Sequence, residues 1–213
     1  MSKNAPRDFD TAAAHWDDKP QRRMIAAAVT AAIVANIPLH HDMQILEYGC
    51  GTGLCGLQLA LKTGHLTAAD TSTGMLEQLK RKTRSLGLDN VTPVLIPPSH
   101  WPLPAEAFDL VFSSMVLHHI EGTRPLLDNF YRSLKPGGFL AIADLEKEDG
   151  TFHGDPTGVA HCGFDTRVFF SLLEDSGFIA LDTQTVHTIR KQRGNSERCY
   201  PVFLMTGQKP LGA

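Results

Sequence analysis

The stretch MQILEYGCGTGLCG (43–56) constrains the fold more than any other part of the chain. A short apolar run ends in four glycines (Gly49, Gly51, Gly53, Gly56), and leucines at mostly helical spacing (Leu54, Leu57, Leu59, Leu61) follow. This reads as a buried strand that passes through a tight loop into a helix, because glycine admits backbone conformations closed to other residues. The rhythm then repeats. HLTAAD (65–70), VTPVLI (91–96), FDLVFSS (108–114) and FLAIAD (139–144) read as strands, the last after a KPGG turn (135–138). TGMLEQLKRKTRSLG (73–87), RPLLDNFYRSL (124–134) and DTRVFFSLLEDSG (165–177) read as helices. QRRMIAAAVTAAIVANI (21–37) is a helix ahead of the glycine unit, halted near Pro38.

Strands alternating with helices of about ten residues imply a parallel sheet covered on both faces. FIALDTQTVHTI and ERCYPVFLMTGQK break that rhythm, since the RKQRGNSE between them is polar and holds a hairpin-like Gly194-Asn195. The expected class is α/β: a Rossmann-like doubly wound sheet, mostly parallel with an antiparallel C-terminal strand pair, and helices on both faces. In such sheets ligands bind beyond the carboxyl ends of the strands, where the glycine loop falls. No repeat or Gly/Ser linker divides the 213 residues, so one domain is expected over 1–213.

The balance of 20 Lys and Arg against 23 Asp and Glu argues against an extended nucleic-acid footprint. No apolar run approaches the roughly 20 residues of a membrane span. MSKNAPRDFDTAAAHWDD lacks an apolar signal core, and Cys50, Cys55, Cys162 and Cys199 form no C-x-x-C pair. Reduced thiols, a cytoplasmic location and no metal centre are therefore expected.

The glycine loop admits two readings. Gly51, Gly53 and Gly56 spell G-x-G-x-x-G, and Asp70 lies nineteen residues beyond Gly51, as in a dinucleotide fingerprint. Glu47, Gly49, Gly51 and Gly53 instead spell an acid followed by alternating glycines. A carboxylate there would repel a pyrophosphate and favour a cationic ligand. Asp70 fits either reading, because both ligand types carry a ribose. An NAD-dependent oxidoreductase would also need a nicotinamide-side constellation such as Tyr-x-x-x-Lys, and Tyr48, Tyr131 and Tyr200 are not expected to supply one.

ILEYGCGTG, LTAADTSTGML, FDLVFSSMVLHHI and LKPGG before a strand occur in this order. Together they resemble the class I S-adenosylmethionine-dependent methyltransferases, particularly the small-molecule branch that includes ubiquinone and menaquinone C-methyltransferases. The resemblance spans roughly residues 9 to 207. It implies that Glu47, Gly49, Gly51 and Gly53 cradle the methionine and ribose of S-adenosylmethionine, and that Asp70 binds the ribose hydroxyls. Thr71, Ser72 and Met75 would line the adenine, Ser113 and Ser114 would face the sulfonium, and Trp16, backed by Phe9, would cover the cofactor. His118 and His119 would sit at the junction with the acceptor, one in the pocket and the other structural.

The segments then divide into an N-terminal helical lid (1–38), a donor-binding core (43–145), an acceptor-side loop (146–165) and a C-terminal helix and strand pair (166–209). One departure stands out: Pro97 occupies the place of an adenine-binding acid, leaving Ser99, His100 or a backbone carbonyl as substitutes. In the loop, His153 and His161 suit acid–base work, since histidine titrates near neutrality; caps for the helix at Asp165 are the plainer alternative. His119 and His161 are the catalytic candidates. His153, Asp155 and His161 match no tight zinc template, and Lys80, Arg81, Lys82 and Arg84 read as a solvated helix face. The expected activity is methyl transfer to a small-molecule acceptor, with no nucleic-acid partner, since IPP (96–98) lacks the residues of an N-P-P-Y motif. A non-catalytic donor-binding protein is the remaining alternative.

Overall fold

The computed structural model describes residues 8–98, 101–194 and 196–212. Its helices are α1 (Phe9–Ala13), α2 (Pro20–Asn36), α3 (Gly56–Ala60), α4 (Thr73–Leu86), α5 (Thr123–Ser133) and α6 (Thr166–Asp175). Its strands are β1 (Gln44–Tyr48), β2 (His65–Asp70), β3 (Val91–Leu95), β4 (Phe108–Ser114), β5 (Leu134–Leu145), β6 (Ile179–Arg193) and β7 (Ser196–Gln208). They form one seven-stranded sheet in the order β3-β2-β1-β4-β5-β7-β6. The first five run parallel, and β7 pairs antiparallel with both β5 and β6. The expected α/β class is the observed one.

Alternation along β1 explains how the layers form. Ile45 joins a core with residues of α2, α3 and α4, whereas Leu46 and Tyr48 join a second core with residues of α5 and α6. A central strand buried on both faces has no exposed side to spend on polar residues. Glu47 nevertheless lies there, at the end that meets the glycine loop.

The helix ends follow from local chemistry. Pro20 opens α2, and Ile37, extended ahead of Pro38, ends it. The Ser72 hydroxyl accepts from Met75 N at the start of α4, and Gly87, at φ 64°, closes it in the left-handed region. Asp165 caps α6 through the N–H groups of Arg167 and Val168.

Three boundaries differ from expectation. The helix after the glycine loop shrinks to Gly56–Ala60. KPGG is drawn into β5, with a register shift between Phe108 and Leu110 on β4. RKQRGNSE is not a loop: pairing runs out to Arg193↔Ser196. A backbone ladder satisfies its own N–H and C=O groups whatever the polarity of its side chains, so an exposed ribbon tolerates such a sequence. β5 pairs with β7 only over Val202 to Gln208, so the outer part of the β6–β7 hairpin is a two-stranded ribbon beyond the sheet. Among the described residues no helix is long and apolar enough to cross a membrane.

Candidate functional site

A cavity of about 540 Å³ opens where β1, β2 and β4 end, at the switch point of the sheet. One end is the glycine loop. Gly49 N and Cys50 N both donate to Ala69 O, at 2.8 and 2.9 Å, and Gly51 N donates to Asp70 Oδ2 at 2.7 Å. The loop therefore coils against the end of β2, with Gly49, Gly51 and Gly53 all at positive φ. A Cβ at Gly49 would lie 2.4 Å from Val116, and one at Gly53 2.4 Å from Leu79. At Gly51 the nearest atom would be Met75 Sδ at 3.9 Å, so this glycine leaves its space to the cavity. Gly53 shapes the loop without lining the cavity, a correction to its expected contact role.

Gly56 resolves the two readings of the loop. A Cβ there would fall 2.1 Å from Glu47 Oε2, so the last glycine of G-x-G-x-x-G makes room for a carboxyl group. Glu47 is buried, and its Oε2 has no hydrogen-bond partner within the protein. Burial, and next the charge of Asp70, push its carboxyl well above the usual range. Asp70 is also raised by burial, against the pull of the N–H groups of Ser72, Gly51 and Thr71. Its two oxygens accept one backbone N–H each, from Gly51 and Ser72. A carboxylate oxygen has two lone-pair sites, so each keeps capacity for a ligand hydroxyl.

The N-terminal segment closes this end; residues 1–7 of the expected lid lie outside the described residues. Asp10 Oδ1 accepts from Ser72 Oγ and Gly74 N, at 2.6 and 2.7 Å. Asp17 accepts from Thr52 Oγ1 and Lys82 Nζ, at 2.6 and 2.7 Å. Lys82 is thus partly buried in an ion pair, not part of a solvated face. Ser72 is engaged in capping and in holding Asp10, and does not line the cavity as expected. Trp16 does line it, with the Arg22 guanidinium 3.5 Å over its ring. Phe9 meets Trp16 and His119 edge-on, at 5.8 and 5.5 Å between centroids. Thr71, Met75, Ile96 and Pro98 complete this part of the wall. Pro97 is exposed, and its proposed substitutes Ser99 and His100 lie outside the described residues.

At the other end Ser113 and Ser114 are the last residues of β4, so alternation sends them to opposite faces. Ser114 lines the cavity, whereas Ser113 is buried away from it and donates to Tyr48 O at 2.7 Å. The expected sulfonium-facing role of Ser113 is corrected on that ground. One turn of 3₁₀ helix, Leu117–His119, then places both His118 and His119 on the cavity, with rings 4.1 Å apart. The expectation that only one could face it fails because the turn is neither α-helical nor extended. His118 Nδ1 lies 2.6 Å from Asp144 Oδ1, and His119 Nδ1 lies 2.6 Å from Gly158 O. Burial acts to raise the Asp144 carboxyl, but the His118 charge and hydrogen bonds outweigh it and hold it below its ordinary value.

His153 completes the group; ring nitrogens of His118, His119 and His153 lie within 4.8 Å of one another. His161 is elsewhere. Its Nε2 meets Ile120 O at 2.9 Å and Thr123 Oγ1 at 3.3 Å, and its ring packs on Phe164. Its own N–H and that of Ala160 donate to His118 O, which turns the loop so that His153 takes the inward position. The catalytic expectation for His161 is therefore corrected to a structural one. His161→Ala is expected to lower the melting temperature by a few degrees, for a loss of about 1 kcal/mol. Donor affinity should stay unchanged. Unaltered melting with a large loss of turnover would return His161 to the catalytic group.

Sequence reasoning missed Lys191 and Arg193, which line the cavity together with Ile189. Their period of two was the available signal, but it counts only if β6 extends that far. A Tyr-x-x-x-Lys spacing, unexpected from the sequence reading, does occur at Tyr131 and Lys135. Neither residue lines the cavity: Tyr131 packs on Phe178, and Lys135 pairs with Asp109. Cys50 and Cys55 line it as inert thiols, since burial pushes Cys55 up to about 12 and Cys50 well above its ordinary value.

A glycine loop at the switch point, a buried acid where a pyrophosphate would sit and a second acid ending β2 define a doubly wound protein that binds a nucleoside cofactor without a phosphate. A family model described as a methyltransferase domain matches residues 45–138. An uncharacterized methyltransferase of Mycobacterium tuberculosis is 30% identical over 168 residues, covering 75% of this chain and 80% of that one. A demethylmenaquinone methyltransferase of Clavibacter sepedonicus is 34% identical over 122 residues, covering 57% and 46%. The chain spans about half the length of several curated relatives, 48% of a Schizosaccharomyces pombe protein and 49% of a Streptomyces halstedii methyltransferase among them. Among solved structures, a methyltransferase from Aquifex aeolicus superimposes with a TM-score of 0.65 at 23% identity, covering 90% of this chain and 94% of that one. Phosphoethanolamine N-methyltransferase 2 of Haemonchus contortus, solved with S-adenosylmethionine, gives 0.70 at 19% identity, covering 85% and 52%. The chain belongs to the S-adenosylmethionine-dependent methyltransferase family, and S-adenosylmethionine is its cofactor.

The residues present fit that cofactor. The orphaned Oε2 of Glu47 suits a cationic group, the open side of Gly51 admits a close approach, and Asp70 retains acceptor capacity for vicinal hydroxyls.

Proposed function

We propose that the protein is an enzyme that methylates a small molecule held at the histidine end of the cavity. The observation that carries this reading is the continuity of one cavity from the glycine loop to His118, His119 and His153. Its volume lies in the range of small-ligand pockets. When bound, the cofactor supplies a methyl group already activated on a sulfonium centre, so positioning contributes much of the rate.

Glu47 holds the positively charged methionine end through the loop formed by Gly49, Gly51 and Gly53. Asp70 fixes the ribose, and Thr71, Met75 and Ile96 flank the base. Trp16 and Phe9 exclude water above it. On the acceptor side, the bond from His119 Nδ1 to a carbonyl leaves Nε2 as the proton-accepting nitrogen. His119 and His153 then take or orient the acceptor's proton, while the Asp144 carboxylate fixes the His118 ring between them. Within one domain, the N-terminal segment serves as lid, 43–145 as donor core, 146–165 as acceptor loop and 166–209 as the outer wall. Exposed unpaired thiols at Cys162 and Cys199 support a reducing, cytoplasmic setting.

Calorimetry with S-adenosylmethionine, S-adenosylhomocysteine and NAD, followed by a screen of phenols, quinones, amines and thiols for S-adenosylhomocysteine release, tests the proposal. Binding of the first two and acceptor-dependent release that His119→Ala reduces at unchanged donor affinity are expected. Binding of NAD alone, or turnover indifferent to His119, would reject it.

A further inference from the structure

The charges on the cavity wall are segregated. Among the described residues its two carboxylates, Glu47 and Asp70, both lie at the glycine loop. The cations Lys191 and Arg193 lie at Phe152, next to His153 of the three clustered histidines, whereas Lys19 and Arg22 belong to the N-terminal segment. Lys191 and Arg193 are alternate residues of β6, so both side chains leave the strand on the side that Ile189 marks as the cavity face. They converge on one neutral oxygen: Lys191 Nζ donates to Phe152 O at 3.0 Å, and Arg193 Nη2 donates to the same atom at 2.5 Å. Arg193 Nε is buried with no hydrogen-bond partner within the protein. Two other arginines of the ribbon each meet a carboxylate, Arg190 that of Glu197 and Arg198 that of Asp149.

A carbonyl dipole does not neutralise the Arg193 guanidinium, and its partial burial deprives it of water; Lys191 Nζ beside it also lies 3.4 Å over the Phe152 ring. The Arg193 charge lies beside His153, the residue that follows Phe152, and therefore beside the site where the acceptor's reacting group would sit. The nearby carboxylates of Glu148 and Asp144 are taken up by Phe152 N and by His118. The positive sulfonium of the donor adds to the Arg193 charge. Such a wall repels a cationic acceptor and attracts an anionic one, and a guanidinium offers a planar fork to a carboxylate or phosphate.

We propose that the methyl acceptor is an anion, carrying a carboxylate or a phosphate that Lys191 and Arg193 hold while the reacting group faces the histidines. The proposal rests on the methyl-transfer reading above and narrows its substrate class.

The test uses the full chain saturated with S-adenosylhomocysteine, whose own binding is recorded first. Three pairs of probes that differ in charge but little in size are then titrated: benzoate with benzamide, succinate with succinamide, and phenyl phosphate with phenol. At least one acid is expected to bind about tenfold or more tightly than its uncharged counterpart. Arg193→Met or Lys191→Met should erase that preference while S-adenosylhomocysteine affinity and melting temperature are retained. If one variant fails to fold, the other carries the comparison. Equal binding within every pair, no binding of any acid, or a preference that survives in the variants would overturn the proposal. Failure of S-adenosylhomocysteine itself to bind would instead reject the underlying methyltransferase reading.

Discussion

Asp70→Ala is expected to weaken binding of S-adenosylmethionine by at least about a hundredfold. Asp70 is 9% exposed, and its oxygens accept from Gly51 N and Ser72 N at 2.7 and 2.9 Å. Its role is thus double. It is the carboxylate proposed to meet the ribose, and it is the anchor that holds the glycine loop toward the end of β2. Hydrogen bonds to a charged group contribute about 1.5–3 kcal/mol each, so losing two to the ribose removes roughly 3 kcal/mol or more. Alanine also leaves Gly51 N without its acceptor, which adds loop disorder to the loss. Asp70→Asn, with the same shape and one remaining carbonyl acceptor, should fall between the two. Calorimetry with S-adenosylhomocysteine measures this directly, with circular dichroism as a check on folding. An affinity within threefold of the parent protein would remove Asp70 from the donor site.

Glu47→Gln is expected to act in opposite directions on stability and on binding. The carboxyl of Glu47 titrates higher in the folded chain than in the unfolded one, because burial and the neighbouring Asp70 charge disfavour its ionised form. Below the unfolded value both states carry the proton, and the group adds no pH-dependent penalty. As the pH rises from there toward the folded value, the unfolded chain ionises first and the folded state loses stability. Glutamine removes that loss, so the variant should melt higher than the parent at pH 8 and show little such gain at pH 4. Its affinity for S-adenosylmethionine should fall by about tenfold to a hundredfold, the worth of one charge-assisted hydrogen bond. Equal melting shifts at both pH values would mean that Glu47 is not strained by ionisation. Unchanged affinity would mean that it does not meet the cofactor.

The mostly parallel α/β class was legible because strand and helix periods alternate cleanly from β1 to α5, and that regularity also located the glycine loop and Asp70. The outer ribbon was not legible, because RKQRGNSE is polar and its pairing depends on a partner strand rather than on its own pattern. Ser113 and Ser114 illustrate a finer limit: both fell within the expected strand, but which of the two faces the cavity is decided by packing, where Ser113 bonds Tyr48 O. His153 and His161 were indistinguishable as residues of a polar loop. What tells them apart is tertiary, the two N–H groups that dock the loop on His118 O. Gly56 looked like part of a phosphate-binding signature, and only the position of the Glu47 side chain reveals its other purpose.

The overhang of the β6–β7 hairpin has a consequence for how proteins of this kind diversify. The proposed donor site is embedded in the middle of the sheet, where Glu47, the glycine loop and Asp70 share neighbours with the main core. The cations proposed to meet the acceptor sit instead where β5 no longer pairs, on a ribbon tied to the rest by Ile189, Tyr200 and the bonds to Phe152 O. Exchanging Lys191 or Arg193 leaves Glu47, the glycine loop and Asp70 untouched, so a new chemical preference can arise there without endangering the loading of the methyl donor. Innovation and robustness are assigned to different parts of one sheet.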